Sequence, residues 1–565
     1  MDSTRLASGF STTRFDKPST GLPGLDYVID YLRLGDNVVL LVDTIDDYSY
    51  FVTSFVEQAC QDGKEVVYIR FAEHKPLVAP GENVTIYYID ANVGFEVFST
   101  QVHRIASREG QGVYYVFDCL SELLSAWATD LMIGNFFTIT CPYLYELNTV
   151  AYFSILRNHN SFSTVATIRE TTQLLLDIYN CEGDIFVHPL KVQNRYSPYM
   201  FFPHVQRGEN FVPVTSGEDE TKLFSYVLSR GLGKSERSWD YWDQVFFKAG
   251  EIFEGVGKQE KICIAKGQEL VKTISKMLLS KDQTILDLAQ KYFTLADLLG
   301  IRSRMTGSGF IGEKSAGMLL ARKILEKNQE EKWADFLEPH DSFYLGSDIF
   351  YTFLIQNGWW KLRMELKRKD KYVQAAKELK EKMMKGRLPE AVREQFKRML
   401  EHFGQSPMVI RSSSLFGEGI LCLNQGTPEQ RYLAFENAVR SAYASTMNED
   451  ALNSPQQRGF AEQDEQMALL VQRISRVYHG ECVSPDRSGA GLSSHTHIWK
   501  DAAVPETRIL HNATLVNKIQ AMQKVLEECY QNPLDIEFTV NFDHEEKPRI
   551  NLLQCRPFKP REKKT

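Results

Sequence analysis

Three short runs of almost unbroken apolar residues constrain the front of this 565-residue chain: NVVLLVD (Asn37–Asp43), EVVYIRF (Glu65–Phe71) and GVYYVFD (Gly112–Asp118). A strand that is apolar at nearly every position cannot leave one side in water, so both faces of its sheet must be covered. A helix-like segment through Phe55–Cys60 and a turn at Asp62-Gly63 separate the first two runs. The third leads into CLSELLSAWATDLM, whose apolar residues recur at helical spacing. This alternation predicts an α/β fold built on a parallel sheet. The length exceeds what one core can serve, and two to four domains are expected.

The lead-in to the first strand, STGLPGLDYVIDYLRLGDNVVLLVD (Ser19–Asp43), resembles the opening of RecA-like ATPases of the clock-protein type, with their T-G-x-x-x-L-D phrase. In such proteins the strand runs into G-x-x-x-x-G-K-S/T, whose backbone N–H groups and lysine hold phosphates. Here that place reads DTIDDYSYF (Asp43–Phe51), with no glycine, no lysine and three aspartates that would repel a triphosphate. Asp118 falls where these folds put a magnesium-associated acid, although acids commonly close strands. The resemblance implies a degenerate RecA-like domain over residues 1–215 that lacks a P-loop and acts as scaffold or sensor. The aromatic-rich stretch Met132–Phe153 reads as core.

Residues 216–302 turn polar and then amphipathic, which predicts a connector of two or three helices. The basic run Lys361–Arg387 mixes its charge signs at helical spacing and reads as a solvated helix face. A net charge of −8 gives no basic field for nucleic acid or an anionic membrane. No apolar run approaches the ~18 residues of a membrane span, and the first twenty residues are polar, unlike a signal peptide. Nine cysteines are scattered without a CxxC pair, so neither a zinc site nor a disulfide framework is expected. A cytoplasmic location follows from these points.

In the second half, RMTGSGFIGEKSAGMLLARKIL (Arg304–Leu325) places a glycine-rich turn and Lys314 at the start of a helix, where an anion is favoured. Arg411 ends an apolar strand in GQSPMVIRSSS. LDIEFTVNFDHEEKPRINLLQCRPF (Leu534–Phe558) reads as a β-hairpin with Asp535 and Glu537 on one strand face and Gln554 and Arg556 on a face of its partner. Two carboxylates beside an amide and a guanidinium suit a Mg–triphosphate site. An exposed hairpin with cross-strand ion pairs fits the same pattern.

Taken in order, IGEKSAGM, PMVIRSSS, MALLVQR, DIEFTV and LLQCRP resemble the ATP-grasp nucleotide-binding domain of phosphoenolpyruvate synthases and pyruvate phosphate dikinases. That family runs I-G-G-K-A, V-R-S-S, V-Q, D-I-E-W and L-Q-x-R-P. The resemblance implies an ATP-grasp-like α+β domain over residues 303–565, with ATP and Mg²⁺ as cofactors. By its motifs, Lys314 and Arg411 contact phosphates and Gln472 lies near the nucleoside. Asp535, Glu537 and Gln554 surround the metal and polyphosphate, and Arg556 completes the phosphate clamp. Arg411 and Arg556 would carry the catalytic charge neutralisation.

Several departures bear on activity. The interval from Ser414 to Asn424 is too short for the family's glycine-containing acidic loop, and Glu313 replaces the second glycine of I-G-G-K. The stretch between Gln472 and Asp535 is also short and lacks a Y-G-L-G-E-like segment. GLSSHTHI (Gly491–Ile498) loosely resembles a phosphohistidine motif, but it precedes DIEF, so His495 is not expected to carry phosphate. Eight residues follow Pro557, so the family's phosphohistidine and pyruvate domains are not expected in this sequence. Two functions fit: an ATP-dependent phosphotransferase-type module with a separate protein or small-molecule acceptor, or a catalytically inactive nucleotide-sensing scaffold.

Overall fold

Alternating strands and helices at the front build a nine-stranded sheet in the computed structural model. The structure describes residues 17–230, 239–255, 260–329, 331–366, 372–413, 419–447, 467–474, 478–479, 482–483, 487–492, 497–500, 513–542 and 547–557. The strands are β1 (Asn37–Val42), β2 (Val66–Arg70), β3 (Val84–Tyr88), β4 (Tyr114–Phe117), β5 (Val150–Leu156), β6 (Leu174–Cys181), β7 (Asp184–Val192), β8 (His204–Arg207) and β9 (Asn210–Pro213). Their order is β3-β2-β4-β5-β1-β6-β7-β8-β9. β1 to β6 pair in parallel, whereas β6 through β9 continue antiparallel.

Side chains alternate across the parallel strands and feed two cores. Val39, Ile69, Phe117 and Phe153 face the helices Phe95–Glu109 and Leu131–Glu146. Val38, Leu40, Tyr68 and Tyr152 face the helices Pro23–Ile29 and Ile45–Gln61. The aromatic stretch around Phe136 and Phe137 is buried, as core.

Among the described residues five helices follow in place of the two or three expected: Gly217–Arg230, Tyr241–Gly255, Glu260–Leu278, Gln283–Tyr292 and Leu295–Ser303. Side-chain caps divide the last three. Asp282 accepts from the backbone N–H groups of Thr284 and Ile285, and Thr294 forms a capping box with Asp297. Trp242 and Phe246 are buried there.

The second half carries a five-stranded sheet, β10 (Met305–Thr306), β11 (Ser342–Leu345), β12 (Met408–Ser412), β13 (Ile420–Cys422) and β14 (Leu469–Arg473), in the order β10-β11-β14-β12-β13. A two-residue pair, β15 (Tyr478–His479) and β16 (Cys482–Val483), precedes a four-stranded sheet. That sheet is β17 (Arg487–Leu492), β18 (His497–Lys500), β19 (Leu534–Phe542) and β20 (Pro548–Pro557), ordered β18-β17-β19-β20. One face of the five-stranded sheet presents Met408, Ile410, Leu469 and Val471 to the same core that lies under the front sheet. The other face presents Tyr344 and Leu470 to a core shared with β19, β20 and the connector helices.

The front and rear halves therefore meet through continuous apolar packing, and polar pairs cross it. Glu96 and Arg363 form a buried two-pronged ion pair at 3.0 and 3.1 Å, and the Asn135 amide donates to Thr352 Oγ1 at 3.0 Å. Two buried acids, Asp130 and Asp348, and the half-buried Asp240 lie near the junction. Asp240 accepts from the backbone N–H groups of Asp130 and Trp242, and Asp348 accepts from Ser308 Oγ and the Ile349 N–H. Burial, with a smaller push from the charge of Asp240, raises the Asp348 carboxyl to about 7.

A carboxyl with a raised folded pKa binds more protons folded than unfolded, so its stabilisation fades as pH climbs from its unfolded value toward 7. Wild-type stability should thus fall between about pH 4 and pH 7 by up to about 1.4 kcal/mol per pH unit from this group. In Asp348→Asn that slope should shrink. Urea unfolding midpoints at several pH values measure the difference, and parallel curves for the two proteins would refute the assignment.

Candidate functional site

Two places could receive a nucleotide: the carboxyl edge of the front sheet and the cleft between the two rear sheets. In open parallel sheets ligands bind beyond the carboxyl ends of the strands, where connections diverge to either side. β1 is flanked by β5 and β6 there, but the crevice is filled from within. Only Asp43 and Thr44 separate the end of β1 from the helix Ile45–Gln61, too short a turn to encircle a phosphate. Thr44 and Asp47 cap that helix reciprocally. Arg157, at the end of β5, donates to Asp43 at 2.9 Å and to Asp177, while Tyr226 donates to the second oxygen of Asp43 at 2.9 Å.

Asp118 is equally committed. Its carboxylate accepts from Arg70 at 2.7 Å, from the Phe71 and Ala72 N–H groups at 2.8 Å each, and from Tyr68 Oη. It is fully buried, so it serves as the internal anchor of the segment after β2.

The rear cleft is different. The expected hairpin is present, and its register sets Asp535 opposite Arg556 and Glu537 opposite Gln554. Arg556 Nε and Nη2 both donate to Asp535 Oδ2, at 2.9 and 2.6 Å, and the Gln554 amide approaches the same oxygen at 3.4 Å. Arg411 ends β12 on the sheet face that looks toward this hairpin, and its Nη1 lies 3.8 Å from Glu537 Oε2.

Lys314 enters on the first turn of the helix Glu313–Lys327. Its N-cap, Gly312, has φ +84° and no side chain, so no cap occupies the first-turn N–H groups. A Cβ on Gly312 would lie 2.5 Å from Ser413 Cβ, so the turn presses against the end of β12. Five residues on, a Cβ on Gly317 would sit 1.9 Å from the Cys555 carbonyl oxygen. The sequence reading passed over Gly317, although a glycine inside a helical pattern signals such a close approach.

Charge completes the arrangement. Burial drags the Lys314 ammonium down to about 8; Glu537 opposes that shift, Arg411 and Arg556 reinforce it, and Asp535 opposes it. Burial also lowers the Arg411 pKa, with Glu537 holding it up. Several buried polar atoms here lack partners in the protein: Arg411 Nε, Gln472 Oε1 and Gln554 Oε1. Such orphans are costly unless a ligand or water satisfies them.

The structure thus brings Lys314, Arg411, Asp535, Glu537, Gln554 and Arg556 together. Gln472 sits deeper, on β14 beneath the same helix, with its amide 3.4 Å from the Met318 sulfur. Among the described residues no group of three or more His, Cys, Asp or Glu side chains is placed to hold a metal alone. Two carboxylates and an amide suit Mg²⁺ only when phosphate oxygens and water supply the remaining positions. His495, residues 414–418 and most of the stretch between Gln472 and β17 lie outside the described residues.

Competitive acylation as a function of pH should find Lys314 titrating near 8, ahead of the exposed lysines. Since the Glu537 carboxylate raises this pKa, Glu537→Gln should move the midpoint lower still. A midpoint near the ordinary lysine value would show that the amine is not buried among these cations.

The comparisons bear on the same region. Residues 308–508 and 493–565 match the family described as pyruvate phosphate dikinase, AMP/ATP-binding domain. No curated protein matches the chain. Among the described residues no helix is long and apolar enough to cross a membrane. The matched span contains every residue of the rear cleft, and that half of the chain is a nucleotide-binding module. Residues 308–565, somewhat less than half of the chain, are thus similar to the nucleotide-binding domain of the pyruvate phosphate dikinase family.

Proposed function

We propose that the rear cleft binds ATP with Mg²⁺ and that the module is an ATP-dependent phosphotransferase handing phosphate to a separate acceptor. The observation that carries this reading is the convergence of Lys314, Arg411 and Arg556 with Glu537 around orphaned polar atoms of Arg411 and Gln554. Three cations face two carboxylates, so the cleft favours an anion. An ATP-grasp-like arrangement would lay the polyphosphate along the N-terminal turn of Glu313–Lys327, with Lys314 and Arg411 as its ligands. Glu537, Gln554 and Asp535 would hold the ion, which supplies charge neutralisation at the transferred phosphoryl group. Gln472 is the candidate nearest the nucleoside.

The parallel sheet of the front half, covered on both faces, supports a RecA-like reading for residues 1–215. Arg157 and Asp118 occupy the positions a nucleotide would need, so we assign that half a scaffolding role. A cytoplasmic location belongs to the same proposal.

A second reading has its own support. Arg556 already neutralises Asp535, and Arg411 lies against Glu537, so the cleft can satisfy much of its charge without transferring anything. A nucleotide sensor would look the same.

Calorimetry with Mg-ATP separates the possibilities when joined to phosphate transfer from ATP labelled at the β or γ position. One equivalent should bind per chain. Lys314→Ala and Arg411→Ala should each weaken binding about 10- to 100-fold, as expected for charge-assisted hydrogen bonds of ~1.5–3 kcal/mol. Release or transfer of label supports the phosphotransferase, and binding without it supports the sensor. Unchanged affinity in both variants would sink the rear-cleft site.

A further inference from the structure

A cavity of about 690 Å³ lies at the β10 edge of the five-stranded sheet, apart from the charged residues of the nucleotide cleft. Met305 pairs with Tyr344 and shares its face of the sheet, whereas Phe343 lies on the other, so the cavity wraps this edge. Gln472 pairs with Ser342 and points to Met318 beneath the helix Glu313–Lys327. Phe343 is the next residue along β11, so it faces the other way, where its ring meets Phe403 at 5.4 Å. Phe343 lines the cavity.

Three segments distant in sequence form the walls. The connector helix Tyr241–Gly255 contributes Asp243 and Phe246, Leu295–Ser303 contributes Arg302, and Arg393–Phe403 contributes Arg398 and Met399. Phe246, Met305 and Met399 are buried and make an apolar floor. Arg302 stacks over Phe246 at 5.8 Å and pairs with Asp243 at 3.1 Å. Asp243 is half in water, so that pair is worth ~0–1 kcal/mol and yields readily to a stronger anion. Arg398 is exposed and makes no ion pair among the described residues.

Two guanidiniums against one carboxylate, above buried aromatic and thioether surface, select for a ligand with two ends. The volume lies within the ~300–1,000 Å³ of small-molecule sites. Guanidinium groups recognise phosphate by paired hydrogen bonds, and aromatic or methionine surface recognises a flat ring. We propose that this cavity is a second binding site, separate from the nucleotide cleft, for a small phosphate monoester on an aromatic or heteroaromatic ring. Arg302 and Arg398 hold the phosphate, and Phe246, Phe343 and Met399 hold the ring. An occupant would bridge the connector helices to the rear sheet.

The test uses the full chain and 1-naphthyl phosphate as probe, followed by calorimetry, with 1-naphthol and inorganic phosphate as half-ligands. Saturable binding at one equivalent is expected, with both half-ligands at least 10-fold weaker. Arg302→Ala and Arg398→Ala should each weaken the probe 10-fold or more, and Met399→Trp, which fills the floor, should abolish binding. Circular dichroism confirms that each variant is folded, and Arg398→Ala, at an exposed position, is the one least able to disturb folding. Lys314→Ala should leave probe affinity unchanged. The proposal is overturned if the wild-type chain does not bind the probe. It is equally overturned if binding survives all three cavity substitutions, or if Lys314→Ala removes it and so places the probe in the nucleotide cleft.

Discussion

Backbone-to-backbone contact between the helix Glu313–Lys327 and β20 is the constraint on which the rear cleft depends. Gly317 passes so close to the Cys555 carbonyl that a Cβ has no room, and Cys555 is the residue between Gln554 and Arg556. Fixing the helix there puts Lys314 one turn earlier, near the charged ends of β19 and β20. Gly312 applies the same restriction at the helix start, where its missing side chain lets the turn press against Ser413. Two glycines thus hold one helix N-terminus between the five-stranded and four-stranded sheets. The cations and carboxylates converge because those two contacts leave the helix no other position.

The electrostatics follow from that geometry. Closing three cations and two carboxylates into one cleft buries Lys314, and that burial, ahead of the neighbouring charges, lowers its affinity for its proton. Buried donors and acceptors without partners add to the cost. A protein tolerates such a concentration of unsatisfied groups where an occupant satisfies them, and it is less stable when empty. The front crevice shows the contrary state. Arg157 meets two carboxylates and Asp118 accepts from four donors, so little is left for a ligand to satisfy.

How much was legible in the sequence depended on the range of the interaction. The hairpin at β19 and β20 could be read with its facing residues, because period-two alternation is local and the short connection fixes the pairing. The absent phosphate loop could be read because it is a matter of which residues occupy nine consecutive positions. The turn of only two residues between β1 and its helix then accounts for the absence physically. The antiparallel extension ending in β8 and β9 is not evident from the sequence, since strands of four residues carry little periodicity of their own. The five connector helices were undercounted because capping at Asp282 and Thr294 interrupts what reads as one long amphipathic pattern. Contacts such as Glu96 with Arg363 leave no local trace, the partners being 267 positions apart in sequence.

That distant pair also limits how the two halves can communicate. A buried ion pair with both prongs made is expensive to break, because separation strands a charge in an apolar setting. Around it, Phe95 packs within 5.6 Å of Trp360 and 5.2 Å of Tyr351 by ring centroids. The helices Ser347–Gln356 and Trp360–Glu365 are therefore fixed to the front sheet as firmly as to their own half. With its crevice filled, the front half leaves little there for a ligand to satisfy. Its physical effect is to hold one face of the five-stranded sheet rigid while Arg411 and Gln472 look out from the other. Any rearrangement on nucleotide binding must then fall on the remaining side of the cleft, in the hairpin and the helix Glu313–Lys327. The glycine contacts that assemble the site are thus also the contacts that would have to give.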